Sequence, residues 1–596
     1  MPIYMDNIYI KIKSHPLLAA LILNGVFFVA AMFLCDQKYE TADDFFEDAI
    51  LSGALSGRSD PHLLYSNIIL GYILKALYTV IPGISFYFVF LILLGFASVT
   101  AVIFLALRQC CNKQATLICL VISIAFLAFF TDDLYILPQF TKAAAIANTS
   151  GGLLFLCGIW NEPGERLNPS IAGIVLIVFG CLLRIDTIYI SLPFLLLVFV
   201  LEALIKKEKI ISRLIMCAGI IALAFALQWA NGIIWDADPD YGNFRHMESY
   251  RPQITDAHKS YSYEDIKGPL EEIGLDFNDY IMLTTWSFTD RSVFDEDTLQ
   301  KYIEITQGKD KSNGSRFSEL TDTLAEKRYW EYSVFWGLII LIIISIVFFG
   351  KGWIRPLSAL LMSGLLIASF IIYGRINYRV ECSIFLSAAC AICYFAGQSE
   401  DIRDIKISGK MSGIILSVIA AACVLWHASV YLPDTAYKSM SDEQYLAYTW
   451  NTLANSGGYG AQKYNINVSS RRPCESILSV IENDKENYYL FDFNTFLFIG
   501  SYNSSPWTRL DTNYFRDNYF YTGGLTMMQF PGQNDVFTYN GIDPKDPFRS
   551  LTNGNIYLID NYFADNKLTY VKEHYDPEAQ AELTGDVGGF KVWKIR

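Results

Sequence analysis

Four carboxylates stand close together early in the chain. Asp43 and Asp44 are adjacent, and Glu47 and Asp48 follow about one helical turn later. Asp132 and Asp133 form a second acidic pair, and the cations Lys142, Arg184, Arg375 and Arg379 lie at or beside the ends of apolar stretches. A carboxylate close to a membrane surface can act as general base towards a hydroxyl group. A planar guanidinium matches the geometry of a phosphate. A base beside a phosphate clamp is the equipment for a transfer from a lipid phosphate. Glu47 and His62 are candidate substrate contacts. The plainer alternative is that these groups pair with one another as structural ion pairs, or that Asp43 and Asp44 cap a helix.

The elements that must position these residues are membrane helices. The chain has 596 residues, of which 53% are hydrophobic and 18% charged, too apolar and too long for an ordinary soluble domain. Eleven stretches are apolar for about the length a bilayer core requires: 17–35, 84–107, 115–131, 141–160, 170–183, 187–204, 214–235, 331–350, 355–373, 380–397 and 411–431. Arg184-Ile185-Asp186 alone separates the fifth from the sixth. The segment 62–81 holds Lys75 and is expected to lie in the interface as a juxtamembrane helix. Short basic connectors mark the cytoplasmic side: Lys11 and Lys13, Arg108 and Lys113, Lys206 to Arg213, Lys351 and Arg355, and Arg403 to Lys410. They agree with one another only if 62–81 does not cross, which places the amino end in the cytoplasm and the carboxyl end outside. The first apolar stretch is long for a signal peptide and lacks an A-x-A-like site, so it is expected to be a permanent anchor.

Three regions then face outward: 36–83, 236–330 and 432–596. Residues 36–61 carry seven acids against two bases, 236–330 twenty against eleven, and 432–596 twenty against fourteen. The net charge of −14 is therefore sided, and it argues against a nucleic-acid partner. In 236–330 a helix is expected from Tyr263 to a stop at Gly274, and Asn278–Leu283 with Trp286 reads as an amphipathic helix that lies on the membrane or packs in a lid. The last region reads as a small α/β domain, with β-runs at 488–491, 556–559 and 590–593 and helical pieces at 441–455 and 474–483. Trp507 and the tyrosines there offer stacking faces for sugars, although packing is the commoner fate of such side chains. Nearly all of the twelve cysteines lie in or beside apolar stretches, which is no disulfide framework. Cys390 and Cys393 read as packing residues on one helix face, the histidines lack zinc-ligand spacing, and neither a Walker loop nor a Rossmann glycine pattern is present.

A first outer loop opening Thr41-Ala42-Asp43-Asp44-Phe45-Phe46, a second acidic pair at Asp132-Asp133, a large loop after the seventh crossing and a terminal outer domain together resemble the GT-C superfamily. These are polytopic glycosyltransferases that use polyprenyl-phosphate sugars, such as the protein O-mannosyltransferases and the aminoarabinose transferases. The resemblance covers residues 1–430 in architecture. The run Ser59-Asp60-Pro61-His62-Leu63-Leu64-Tyr65-Ser66-Asn67 is similar to that of bacterial membrane proteins of this type. The resemblance places the loop-one acid on Asp43 or Asp44, and the second-loop acid on Asp132 or Asp133. It implies a polytopic membrane domain over 1–431 and an extracytoplasmic α/β domain over 432–596. The adjacent acids here are Asp-Asp where the O-mannosyltransferases have Asp-Glu.

What the resemblance implies is an inverting enzyme of the plasma membrane and cell envelope that moves a sugar from a polyprenyl-phosphate donor to a glycan, lipid or protein acceptor. Arg375, Arg379, Arg184 and Lys142 are the cations available for the donor phosphate. No metal is expected, although the acids at 43–48 could recruit a divalent cation. Competing readings are a polymerase or ligase acting on pyrophosphate-linked glycans, a transporter or flippase, and a non-catalytic glycan-binding scaffold. No internal repeat of the kind a transporter shows is apparent.

Overall fold

The computed structural model describes residues 9–398 and 475–596, except 36, 109, 111, 161–166, 257–260, 313–319, 322, 325–328, 350, 374–375, 497–504, 513–517 and 525–526, with only isolated residues between 398 and 475. Backbone groups in hydrocarbon must bond within their own segment, so long apolar runs become helices. Ten of the eleven apolar stretches do so: α1 (Pro16–Leu34), α4 (Phe86–Arg108), α5 (Lys113–Phe130), α6 (Phe140–Trp160), α7 (Leu167–Arg184), α8 (Ile188–Lys206), α9 (Ile210–Asp236), α14 (Ser333–Phe348), α15 (Ile354–Tyr373) and α16 (Tyr378–Gly397). The stretch 411–431 and the helical piece 441–455 fall outside the described residues.

Arg184 breaks the apolar run Pro169–Lys206. Its backbone is extended, at φ −159° and ψ 106°, and a single 3-10 turn, Ile185–Thr187, follows. Contacts on either side show that the chain reverses there. Gly151 of α6 meets Gly173 of α7, and Thr141 meets Arg184, so α7 runs antiparallel to α6. Ser191 bonds back to Ala145, Leu195 lies on Gly152 and Trp160 meets Phe199, so α8 runs parallel to α6. The close approach needs glycine: a Cβ on Gly151 would stand 2.7 Å from the Gly173 carbonyl oxygen. Every residue of α6 is buried, and with α16 it forms the middle of the bundle.

The carboxyl-terminal region is an α/β domain. Five strands, β1 (Tyr488–Asp492), β2 (Tyr519–Thr522), β3 (Ile556–Ile559), β4 (Ala581–Val587) and β5 (Phe590–Ile595), lie in the order β2-β1-β3-β5-β4. β1 pairs in parallel with β2 and β3, and β5 runs antiparallel to β3 and β4. Helices Glu475–Asn483, Pro531–Tyr539 and Ala564–His574 complete it. The runs read from sequence as β are strands; β2 and β4 are additional. At the carboxyl ends of β1 and β3 a fully buried Lys567 donates to Asp492 and Asp560, each at 2.7 Å.

This domain, the first loop and the region after α9 pack together at one end of the bundle. Trp507, expected as a possible sugar-stacking face, instead donates its indole N–H to Gln37 at 3.0 Å. Asn278 and Asn566 bond to each other's segments at 2.9 and 3.1 Å, and His574 meets Asp279 at 2.8 Å. The helix α12 (Phe277–Thr284) is thus seated on the α/β domain, and its membrane-surface alternative falls away. The preceding helix α11 (Tyr263–Glu272) stops before Gly274, whose φ of +82° suits glycine.

Two further helices belong to the first loop: α2 (Ala42–Ser52) and α3 (Ile68–Val80). At 13 residues, α3 is about 20 Å long, short of a bilayer core. Both its flanks lie at the same end of the bundle, since Asn67 N–H donates to the Leu182 carbonyl at 2.7 Å and Ser85 N–H to the Trp507 carbonyl at 3.0 Å. Arg509 of the α/β domain ties α2 to α3. Its guanidinium donates to the terminal Ser52 carbonyl at 3.0 and 2.5 Å and to the Tyr78 carbonyl at 3.2 Å, groups that a helix end leaves without internal partners. Arg509→Ala is expected to cost about 1–3 kcal/mol, read as a lower thermal midpoint in detergent. Arg509→Lys should recover only part of it, because an ammonium cannot span both carbonyls as a fork does.

Candidate active site

α2 carries the first acidic cluster, and its sequence explains its position. Thr41 precedes it in extended conformation, Asp43 and Asp44 occupy the first turn where the helix dipole favours carboxylates, and Gly53 ends it at φ +87°. Residues 44–52 are all buried. Phe46 faces the α/β domain and packs among Phe493, Phe496 and Tyr521. The side chains on the other faces of α2 meet different surroundings.

Asp43 keeps an open face. Its side chain is 16% exposed and its Oδ2 lies 3.0 Å from Nη1 of Arg379, itself 20% exposed, at the start of α16. Asp44 is closed in: Tyr87 donates to it through its hydroxyl at 3.0 Å and Phe140 through its backbone N–H at 3.0 Å. Burial, and then the neighbouring Asp43 charge, push the Asp44 carboxyl well above its ordinary range. Asp48 is held by the hydroxyls of Tyr78, Tyr39 and Ser85. Of the adjacent pair, only Asp43 is reachable.

Glu47, expected as a substrate contact, is fully buried one turn behind Asp43. One carboxyl oxygen accepts the Tyr65 N–H at 2.8 Å, and the other has no hydrogen-bond partner. Burial pushes its carboxyl up to about 8, the Tyr65 N–H opposing. Glu47 therefore supports the loop bearing Tyr65 and lies out of a substrate's reach. A group whose pKa is raised on folding stabilises the fold at low pH, and that contribution fades as pH rises through the folded value. Stability is expected to fall between pH 4.5, its ordinary value, and about 8, by up to about 1.4 kcal/mol per pH unit from this group. Thermal midpoints of Glu47→Gln across that window should lose this part of the slope.

Lys142 was a candidate phosphate contact, and the structure gives it other work. It has no exposed surface, and its ammonium lies 2.5 Å from Glu40, 2.8 Å from Asp133 and 2.8 Å from the Leu137 carbonyl. The Asp133 and Leu137 oxygens accept hydrogen bonds from the ammonium, and the Glu40 carboxylate stands beside it as a second counter-charge. Asp133 also accepts the Tyr378 hydroxyl at 2.9 Å. Asp132 is buried in the one-turn helix Asp132–Tyr135, with the Ser333 hydroxyl 3.4 Å away. Asp133, with Lys142 and Glu40, thus forms an internal post joining the first loop, α6 and α16. Glu40 was missed in the sequence, although it stands three residues before Asp43.

Arg184 ends α7. Its guanidinium donates to the Thr141 hydroxyl at 3.2 Å, lies 4.9 Å from the Phe140 ring centre and 5.7 Å from that of Tyr65, and is within electrostatic reach of both Arg379 and Asp43. Its carboxylate neighbour Asp186 is 3.6 Å away and 68% exposed, a loose pairing. Arg375 falls outside the described residues. His62, the other expected substrate contact, stacks on Tyr241 at 3.6 Å, meets the edge of Trp235 and binds Asp60 at 2.7 Å. Those contacts tie the first loop to the region after α9. Among the described residues no group of three or more His, Cys, Asp or Glu side chains could hold a metal ion.

Beside Arg184 a cavity of about 260 Å³ opens between the loop 63–67, the carboxyl ends of α7 and α9, and α10 (Pro239–Glu248). Tyr65, Arg184, Asn231, Trp235, Arg245 and Glu248 are among its walls. Glu248 was also missed. Arg251 holds one of its carboxyl oxygens at 2.5 Å, and the other has no hydrogen-bond partner. Burial raises the Glu248 carboxyl to about 7.

The chain resembles two solved structures along nearly its whole length. One is the crystal structure of ArnT from Cupriavidus metallidurans in the apo state, with a TM-score of 0.46 and 11% identity over 97% of this chain and 98% of that one. The other is ArnT from the same organism bound to undecaprenyl phosphate, with a TM-score of 0.45 and 12% identity over 97% of each chain. No family model and no curated protein matches the sequence.

Proposed function

We propose that this polytopic membrane protein transfers a sugar from a polyprenyl-phosphate donor to an acceptor hydroxyl at the extracytoplasmic face. The observation that carries the reading is the Asp43–Arg379 pair. Of the acids and cations singled out in the sequence and described in the structure, these two, with Arg184, keep open faces at one place, while Asp44, Glu47, Asp48, Asp132, Asp133 and Lys142 are buried.

In this reading the donor phosphate draws the guanidinium of Arg379 away from Asp43 and shares it with Arg184. Asp43, released from its partner, accepts the proton of the acceptor hydroxyl. The hydroxyl oxygen forms a bond to the anomeric carbon as the bond from that carbon to the phosphate oxygen breaks, with inversion. The polyprenyl phosphate leaves with the bonding pair, its charge met by the two guanidinium groups. The amino end lies in the cytoplasm and the α/β domain outside, with 236–330 covering the sugar. Purified protein in liposomes should release polyprenyl phosphate from a polyprenyl-phosphate sugar when acceptor is added. Turnover only with pyrophosphate-linked oligosaccharides would instead identify a polymerase or ligase.

A further inference from the structure

Two buried polar atoms on the walls of the cavity beside Arg184 lack a hydrogen-bond partner among the described residues. Ser66 is 4% exposed, and its hydroxyl bonds to nothing. Glu248 accepts from Arg251 with one carboxyl oxygen, while the other, also buried, has no partner. Both residues wall the cavity, and they come from distant parts of the chain, the first loop and α10. A buried polar atom left without a partner is costly and calls for an explanation. Two of them on one cavity point to a ligand that brings hydrogen-bonding groups of its own.

The other walls narrow the kind of ligand. At about 260 Å³ the cavity falls just short of the roughly 300–1,000 Å³ of pockets that take drug-sized molecules, room for a single sugar ring. Trp235 and Phe244 give apolar surface to the C–H face of such a ring, and the amides of Gln228 and Asn231 suit its hydroxyls. Glu248 is already paired with Arg251, Arg245 with Asp236 and, more loosely, Arg184 with Asp186. An uncharged ligand leaves these pairs intact, whereas a charged one has to break one of them. The rim is polar, with the side chains of Asp186 and Arg245 68% and 44% exposed. Such a rim suits a ligand that arrives from water, as an acceptor glycan does, over one carried on a lipid. Tyr65 and Arg184 wall the cavity and also lie within electrostatic reach of Asp43, so the cavity borders the proposed base.

We propose that this cavity seats the terminal sugar of the acceptor, an uncharged ring whose hydroxyls bond to Ser66 and Glu248 and whose reacting hydroxyl turns to Asp43. The acceptor is then a neutral glycan, and Ser66 and Glu248 help determine which sugar it ends in, because a site built around unpaired polar groups rejects a ring that leaves them unpaired. This acceptor class rests on the proposed transfer of a sugar.

The test titrates the full-length protein in nanodiscs with the methyl glycosides of glucose, galactose, mannose and N-acetylglucosamine, read by saturation-transfer NMR. At least one is expected to bind at millimolar concentration. Methyl glucosaminide and methyl glucuronide, which carry an ammonium and a carboxylate, should bind more weakly by about tenfold. Ser66→Ala and Glu248→Gln should each weaken the bound glycoside by about three- to tenfold, the worth of one hydrogen bond. Ser66→Ala removes an oxygen that bonds to nothing in the protein, so it keeps the test valid where Glu248→Gln disturbs Arg251. Tyr539→Ala, at an exposed ring of the α/β domain, should leave binding unchanged. Equal or tighter binding of a charged glycoside, binding indifferent to both cavity substitutions, or no binding at all would overturn the acceptor seat and leave the transfer reading standing. So would displacement of the glycoside by undecaprenyl phosphate glucose, galactose or mannose but not by undecaprenyl phosphate, which would give the cavity to the donor's own sugar. Failure of wild-type protein to release polyprenyl phosphate from any of these donors would overturn the transfer reading itself.

Discussion

Asp43→Asn is expected to reduce transfer by about 10²–10⁴-fold, the usual contribution of a positioned general base, with little change in the thermal midpoint. The two halves of that expectation come from the same geometry. Asparagine fills the same space but cannot take a proton from a hydroxyl. The structural loss is expected to be small because asparagine keeps a side-chain oxygen that can accept from Arg379, and both side chains retain some contact with water. Asp44→Asn provides the contrast. Asp44 receives the Tyr87 hydroxyl and the Phe140 N–H and has no open face, so its replacement should alter stability more than the chemical step. Assays of both variants with matched thermal melts separate the two roles. Full activity in Asp43→Asn would remove the proposed mechanism, whatever Asp44→Asn does.

Lys142→Met is expected to destabilise the protein by about 3–5 kcal/mol, because it leaves Glu40 and Asp133 buried together without their cation. The effect should appear as poor recovery from membranes and a lowered melting transition. Had Lys142 been a phosphate contact, the variant would fold normally and show only weakened donor use. The cause can be checked by removing the charges together. Glu40→Gln and Asp133→Asn added to Lys142→Met should restore much of the stability, since a buried ion-pair group can often be replaced by neutral residues at little cost. A triple variant as unstable as the single one would place the damage in lost packing.

The helices were legible in the sequence because their cause is local: a run of apolar residues of bilayer length has no other way to satisfy its backbone. The break at Arg184-Ile185-Asp186 was visible as a charged interruption, and Gly274 as a stop, for equally local reasons. β4 was not legible. Its residues Ala581–Val587 are all partly or fully exposed, and the alternation of Ala581, Leu583 and Val587 with polar residues is interrupted at Gly585, so it is pairing with β5 that makes them a strand.

Charge and spacing likewise picked out the residues from which the candidate site is drawn, but not the partner each would find. Asp43 and Asp44 are neighbours in the chain and differ by about 100° around α2; one turns to Arg379 and an open face, the other to Tyr87 and Phe140. Lys142 looks in the sequence like a free cation at a helix start, and becomes an internal post because Glu40 and Asp133 come from elsewhere in the chain to meet it. The sequence by itself determined that acids and guanidinium groups would gather at the ends of membrane helices, since apolar length and the placing of charges between apolar runs are properties of segments. Only the tertiary structure decided which of those charges neutralise each other in the interior and which remain available, because burial and pairing depend on surfaces brought together from distant parts of the chain.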